Sequence, residues 1–204
     1  MRADDKSALV IRVPQAERWV GRLRAKYALS VQGGLPDQGG LPPHITVLAP
    51  MLHPEALRED VLEAVHECAA QHAPFDFELV GVCGFPGVVY LAAQPLELFD
   101  ELSASFGAQF PQWPNYQGTF ANPVPHLTVG VGTLCADLPR LAAEAVEACA
   151  AAFPIRCHAA EVELWKKLDG RWSRHVRELL TGHGTWRGIY GAETSSVSNS
   201  TSKR

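Results

Sequence analysis

The sequence predicts an α+β fold of two pseudo-symmetric lobes, each a mainly antiparallel sheet with helices packed outside, and motif strands facing a central cleft. A Pro-His-x-Thr-x segment occurs twice, at residues 43–47 and 125–129. A helical pattern precedes each copy. A second helix follows each copy, and then a strand that begins at Phe75 or at Ile155, about 30 residues after the motif histidine. Because the flanking elements recur with the motif, the sequence indicates two similar lobes rather than two chance tetrapeptides.

The first half of the chain alternates strand and helix signals. A β-rich segment at 7–13 ends at Pro14 and predicts a strand, and residues 15–27 predict a helix. The first motif predicts a strand at 44–48, and a helix is expected from Pro54 to His72, with Pro54 in its first turn. Its predicted apolar face comprises Leu57, Val61, Val65 and Cys68. Two strands then follow around a turn at 84–87.

The second half repeats this order. A helix is predicted at 96–110, an aromatic loop at 111–120, the second motif strand at 126–131, and a helix at 138–152 capped by Asp137. Residues 155–168 and 172–180 predict a hairpin whose turn is Asp169-Gly170. We expect one bilobal domain over residues 1–191, and a disordered, Ser/Thr-rich tail at 192–204.

Composition and charge restrict the class of protein. The chain has 204 residues, of which 47% are apolar and 20% charged, as in ordinary globular domains. Its net charge of −4 does not suit a protein that coats long duplex nucleic acid, so a small nucleotide or an RNA end is the expected partner. No stretch is long and apolar enough to span a bilayer, and residues 1–6 lack the apolar region of a secretory signal. We expect a cytoplasmic monomer that does not bind membranes.

The cysteines and the remaining histidines carry no motif. None of the cysteines forms a Cys-x-x-Cys pair, and we expect buried free thiols, as in a reducing cytoplasm. They are Cys68, Cys83, Cys135, Cys149 and Cys157. The histidines outside the motifs are expected to be structural or exposed. They are His53, His66, His72, His158, His175 and His183.

The two motifs have the residue types that phosphodiester chemistry requires. Residues two apart in a strand point to one face, so His44 and Thr46 share a face, as do His126 and Thr128. Two such strands related by a pseudo-twofold axis bring two imidazoles and two hydroxyls around one point. Reaction at phosphorus needs a base and an acid, and one histidine can start neutral while the other starts protonated. Threonine hydroxyls can donate to the non-bridging oxygens, so we expect no metal and no cofactor.

On these residues the chain resembles the 2H phosphoesterase superfamily, also called the 2′-5′ RNA ligase-like family. The resemblance covers most of the chain, from the first strand to the final hairpin, and residues 85–91 look like the strand pair between the motifs of bacterial members. It implies that His44 and His126 are the catalytic acid and base, and that Thr46 and Thr128 bind phosphate. Family members cleave 2′,3′-cyclic phosphates, 1″,2″-cyclic phosphates or 2′-5′ linkages, and some run in reverse as ligases.

Substrate specificity is expected to depend on the walls of the cleft. Phe85, Trp113, Tyr116 and Phe120 are candidates for stacking on a base, although each could equally close the interface between the lobes. Basic residues crowd the last hairpin, where they indicate either a solvated strand edge or an RNA-docking edge. These are Lys166, Lys167, Arg171, Arg174 and Arg177.

Four functional hypotheses follow from the motifs. The first is a metal-independent phosphodiesterase that opens 2′,3′-cyclic nucleotides or a cyclic phosphate at an RNA end. The second is a reversible 2′-5′ RNA ligase. The third is a binding module for a phosphorylated ligand, which would not need two histidines for acid–base work. The fourth is a metal site at His44 and His126, which lacks carboxylate ligands nearby in sequence.

Overall fold

Eight strands and four α-helices form within residues 5–27, 40–120, 123–131 and 137–182, the parts of the chain that the computed structural model describes. The strands are β1 (Lys6–Arg12), β2 (His44–Leu48), β3 (Phe75–Phe85), β4 (Val88–Gln94), β5 (His126–Val131), β6 (Ile155–Ala159), β7 (Glu161–Leu168) and β8 (Arg171–Leu179). The helices are α1 (Glu17–Lys26), α2 (Glu59–Ala70), α3 (Glu97–Gln109) and α4 (Leu138–Cys149). Among the described residues, no helix is long and apolar enough to cross a membrane. Both ends of the expected 1–191 domain, the tail at 192–204, Cys135 and His183 lie outside these residues.

The eight strands form one antiparallel sheet with the order β6-β3-β4-β5-β2-β1-β7-β8. This order divides into two similar halves, β5-β4-β3-β6 and β2-β1-β7-β8, and a motif strand begins each half. Only Ala160 separates β6, at one edge, from β7, near the other edge, so the sheet must curl. The Leu180 amide donates to the Ala160 carbonyl at 2.9 Å, which extends the β7–β8 pairing to the residue just after the end of β6. The predicted α+β fold with two antiparallel lobes is confirmed.

The helices cross between the two halves of the sheet. Helix α1 precedes β2 in the chain but packs against β5, whereas α3 precedes β5 but packs against β2. This exchange ties the lobes together behind the motif strands. The motif strands themselves share a single paired position, Ile45 with Leu127, among the described residues. They therefore meet at one point and diverge on either side of it, which leaves room for a cleft.

The helix expected from Pro54 begins later than predicted. Residues Pro54–Ala56 form a separate 3₁₀ turn, in which the ring of His53 accepts a hydrogen bond from the Glu55 amide. The backbone of Arg58 is extended, so the chain must turn again before α2 begins at Glu59. Leu57 consequently lies outside the helix, and the buried residues of α2 are Val65, Cys68 and Ala69.

The predicted hairpin at 155–168 and 172–180 is wrong in its first strand. Residues 155–168 form two strands: β6 pairs with β3 at one edge of the sheet, and β7 pairs with β1 and β8. Local β propensity does not reveal the break at Ala160, because the segments on both sides of it have strand patterns. Buried and exposed residues alternate along β6, and β7 has a run of buried residues. The turn itself is as predicted, and both Asp169 (φ 51°) and Gly170 (φ 80°) adopt the left-handed conformation that a tight hairpin needs.

Three of the cysteines are buried and free, as expected: Cys68, Cys149 and Cys157. Burial raises the pKa of the Cys68 and Cys157 thiols to about 12, which keeps both protonated. Cys83 is exposed, so the prediction that it is buried is wrong. It lies in the last part of β3, where residues 80–85 are all half-buried or exposed.

Candidate functional site

The motif strands bury their apolar side chains and leave their polar side chains on the opposite face. Ile45 and Leu127 are completely buried in the core at the point where β2 and β5 pair. On the other face, Thr46, His126 and Thr128 are half-buried, and His44 is 5% exposed. Because β2 and β5 run antiparallel through the Ile45–Leu127 pair, His44 and Thr128 lie on one side of that pair. Thr46 and His126 lie on the other side. The structure thus brings all four motif residues to one face at the seam, which is the junction where β2 and β5 pair at Ile45 and Leu127.

Each motif histidine is held by the backbone carbonyl two residues before it. Nδ1 of His44 lies 2.7 Å from the Pro42 oxygen, and Nδ1 of His126 lies 2.7 Å from the Val124 oxygen. A carbonyl oxygen only accepts hydrogen bonds, so we infer that Nδ1 carries the proton in both rings. Nε2 is then the atom of each imidazole that can exchange a proton with a substrate.

The two histidines differ in their electrostatic surroundings. Burial lowers the pKa of His44 to about 4. The hydrogen bond to Pro42 opposes this effect, and the positive charge of Arg24, with that of His126 when it is protonated, reinforces it. Burial also lowers the pKa of His126, opposed by its hydrogen bond to Val124. Both rings are therefore neutral at pH 7 in the free protein. A bound phosphate favours protonation of whichever ring it contacts.

Arg24 is a residue of the site that the sequence analysis missed. It lies on the buried face of α1 with Val20 and Leu23 and is 2% exposed. Its Nη2 donates to the Thr128 carbonyl at 2.7 Å, and its Nη1 donates to the Leu41 carbonyl at 3.4 Å. The signal in the sequence was a charged residue at the i, i+3, i+4 spacing of an apolar helix face.

A strained turn lies against the other end of the seam. Asn115 accepts a hydrogen bond from the Ala49 amide and donates one to the Val47 carbonyl, both at 3.1 Å. The next residues, Tyr116 (φ 51°) and Gln117 (φ 57°), are left-handed, which costs about 1–2 kcal/mol for each non-glycine residue. The Tyr116 side chain is hydrogen-bonded to Thr46, and burial raises its pKa, which keeps the hydroxyl protonated. The strained conformation thus places a neutral hydroxyl beside the first motif.

An apolar cavity of about 480 Å³ opens beside the second motif. Aromatic rings pack closely around His126, since Phe85 and Tyr90 stack at 4.4 Å and lie 5.3 Å and 5.2 Å from the imidazole. The cavity is lined by Phe85, Pro86, Val88, Tyr116, Phe120, Pro123, Val124 and His126. It therefore brings together three of the four aromatic residues that the sequence suggested for substrate binding.

Trp113 is the aromatic candidate that the structure does not bring to this cavity. Its ring packs against the core, with its centroid 6.1 Å from that of Phe110 at the end of α3. The aromatic loop therefore divides its side chains between two surfaces, which alternation in sequence could not reveal. Tyr116 and Phe120 lie in edge-to-face contact at 5.7 Å on the cavity side.

The basic residues of the last hairpin are partly neutralised by ion pairs. Nη1 of Arg174 donates to Glu163 at 2.9 Å, and Nη1 of Arg177 donates to Glu161 at 3.3 Å. These cross-strand pairs favour the solvated-edge interpretation for Arg174 and Arg177. Within the described residues, no group of three or more His, Cys, Asp or Glu side chains is arranged to hold a metal ion.

The sequence profile places this curled antiparallel fold in a class of phosphoesterase and ligase-type proteins. The chain belongs to the 2′-5′ RNA ligase superfamily, whose sequence profile matches residues 13–171. The resemblance to the 2H phosphoesterase superfamily is thereby confirmed.

Solved structures share this fold at low sequence identity. E. coli LigT complexed with 3′-AMP is 16% identical, with a TM-score of 0.56 over 87% of this chain and 98% of LigT. LigT complexed with ATP is 20% identical, with a TM-score of 0.54 and the same coverage. TT0787 of Thermus thermophilus is 19% identical, with a TM-score of 0.50 over 87% of this chain and 99% of TT0787. A comparison with curated protein sequences gives no significant match.

Proposed function

We propose that this protein is a metal-independent phosphodiesterase that opens the 2′,3′-cyclic phosphate of a nucleotide or of an RNA end. The observation that carries the proposal is the pair of equivalently held imidazoles. Nδ1 of each ring is hydrogen-bonded to a backbone carbonyl, so Nε2 of each ring remains for proton transfer. The strands that carry the two rings meet at Ile45 and Leu127. Acid–base catalysis at phosphorus requires two such groups on opposite sides of the reacting atom.

The proposed reaction is hydrolysis through water. A neutral histidine takes a proton from water as the water oxygen forms a bond to phosphorus. The bond from phosphorus to the 2′ or 3′ oxygen breaks, and the protonated histidine gives its proton to that oxygen. Thr46 and Thr128 donate to the non-bridging oxygens as negative charge develops on them. One histidine ends protonated and the other neutral, and proton exchange with water restores the starting state.

The cavity beside His126 supports a nucleotide as the substrate. It has aromatic walls and a volume of about 480 Å³, which suits a flat base attached to a phosphate at the seam. E. coli LigT, which shares the fold, has been crystallised with 3′-AMP and with ATP. We propose that this chain takes ligands of the same chemical class, with the base in the cavity and the phosphate between the motif strands.

A substrate screen in the presence of EDTA tests the proposal. The purified protein is incubated with 2′,3′-cyclic mononucleotides, RNA ending in a cyclic phosphate, ADP-ribose 1″,2″-cyclic phosphate and 2′-5′ dinucleotides. We expect turnover of a 2′,3′-cyclic phosphate that EDTA does not reduce. Binding of the nucleotides without turnover would favour the binding module, and joining of RNA ends would favour the ligase. Activity lost in EDTA and restored by added metal would contradict the metal-independent mechanism.

Replacing Thr46 or Thr128 with valine is expected to lower kcat/KM by roughly 10- to 100-fold. The reason is that each hydroxyl supplies one hydrogen bond to a charged oxygen, worth about 1.5–3 kcal/mol. Valine keeps the β-branched shape, so the strand is preserved. Thr181→Val is a matched control, because Thr181 donates to the Ala70 carbonyl rather than to a group of the site. Unchanged kcat/KM in Thr128→Val would remove this residue from the phosphate site.

Phe120→Ala is expected to raise KM for a cyclic nucleotide by about 10-fold while kcat changes little, because base stacking is worth about 1–3 kcal/mol. Phe120 is 58% exposed, so its loss removes little folding free energy. Leu179→Ala is the control, since Leu179 is also 58% exposed but lies on β8. Equal KM values in the Phe120 variant, the Leu179 variant and the wild type would show that the base does not stack on Phe120.

A further inference from the structure

Arg24 is buried, which is unusual for a charged residue on a helix. It is 2% exposed, and its Nε is buried without a hydrogen-bond partner among the described residues. Burying a cation costs free energy unless its surroundings compensate. Burial lowers the pKa of Arg24 to about 10, with Glu17 raising it, so the guanidinium stays charged at neutral pH.

The guanidinium connects the backbones of the two motif segments where they diverge. It donates to the Thr128 carbonyl on β5 and to the Leu41 carbonyl ahead of β2. The next carbonyl in the chain, that of Pro42, holds Nδ1 of His44. Arg24 is therefore one peptide away from the group that orients His44 and is bonded directly to the backbone of Thr128.

We propose that Arg24 is a positioning residue that makes the two histidines unequal. It fixes the backbone that orients His44 and places a buried positive charge on that side of the cleft. His44 then acts as the neutral base, and His126 as the protonated acid. The roles of base and acid rest on the proposed phosphodiesterase function, whereas the orientation of His44 does not.

The charges around His44 agree with this assignment. Arg24 from α1 and His126 from β5 both lower the pKa of His44, after the larger effect of burial. Arg12 lies opposite His44 on β1, and Tyr116 contributes a protonated hydroxyl beside Thr46. For His126, burial and the Val124 carbonyl account for the change in pKa. The buried charge of Arg24 therefore opposes protonation of His44, which suits the role of base.

Two substitutions separate the charge of Arg24 from its hydrogen bonds. Arg24→Met removes both, whereas Arg24→Lys keeps the charge but cannot span the two carbonyls. NMR titration of the free protein reports the pKa and the tautomer of His44 without any substrate, with the His44 signal assigned from His44→Ala. Asn115→Ala is the control, since it loosens the opposite end of the seam without changing a charge.

Arg24→Met is expected to increase the proton affinity of His44 about tenfold and to move the acid limb of kcat/KM up by about one pH unit. Arg24→Lys is expected to leave that pKa near its wild-type value, to reduce the Nδ1–H tautomer of His44, and to lower kcat about tenfold with KM little changed. Asn115→Ala is expected to leave the titration of His44 unchanged.

Three results would overturn the inference. A folded Arg24→Met protein in which His44 titrates as in the wild type would exclude the effect of charge. An Asn115→Ala protein in which the pKa of His44 changes as much as in Arg24→Met would also exclude the effect of charge. If the methionine variant does not fold, a lysine variant with wild-type kcat and wild-type tautomer would exclude positioning. Absence of turnover in the wild type would refute the proposed function instead, and the NMR results would remain interpretable.

Discussion

Alanine at His44 or at His126 is expected to lower kcat for a cyclic phosphate by about 10²–10⁴, because in the proposed mechanism each substitution removes one of the two groups that move protons. Both side chains lie at the ends of strands whose neighbours Ile45 and Leu127 remain in the core, so the folded structure should persist. Steady-state kinetics measure the loss, and circular dichroism checks the fold.

The double substitution is expected to lower kcat little more than the worse single one, because the proposed mechanism has both histidines act on one transition state. His66→Ala is the control, since the ring of His66 is paired with Glu178 on an exposed surface. Near-normal turnover in His126→Ala, or strictly multiplicative losses in the double variant, would contradict a shared site.

The pH–rate profile is expected to be bell-shaped, with its optimum for kcat/KM on the acid side of neutrality. Activity should fall below about pH 4, where the buried His44 becomes protonated and cannot act as a base. It should also fall as pH rises through the lowered pKa of His126, because the acid form is lost there. Beyond each limb the rate drops about tenfold per pH unit. Sequence alone would place both limbs near 6.5, the value of an unperturbed imidazole.

Measurement of kcat in the same buffers should give an alkaline limb at higher pH than that of kcat/KM. The reason is that kcat reports the complex, in which bound phosphate favours protonated His126. The limbs belong to the coupled pair, so the assignment to each ring depends on the NMR titration of His44. A flat profile from pH 5 to 9 in EDTA, with chemistry rate-limiting, would rule out the two-histidine mechanism.

The amino-acid sequence by itself predicted the parts of the site that depend on local pattern. Alternation along a strand put His44 and Thr46 on one face and Ile45 on the other, because successive side chains of a strand point to opposite sides. The recurrence of helices and strands around both motifs predicted the two lobes, and the fold confirms them. The acid–base and phosphate-binding roles of these residues remain predictions of the motif and the family.

Only the tertiary structure decided how the site is held and how its two halves differ. The break between β6 and β7 at Ala160 belongs to the curl of the whole sheet. Trp113 packs on the core beside Phe110, just after the end of α3. Arg24 and Asn115 reach backbone carbonyls that lie far from them in sequence. Local periodicity reports which face a residue occupies. The pKa of an imidazole depends instead on the charges and the burial that distant segments bring to it, and the duplicated motifs become unequal only when the chain is folded.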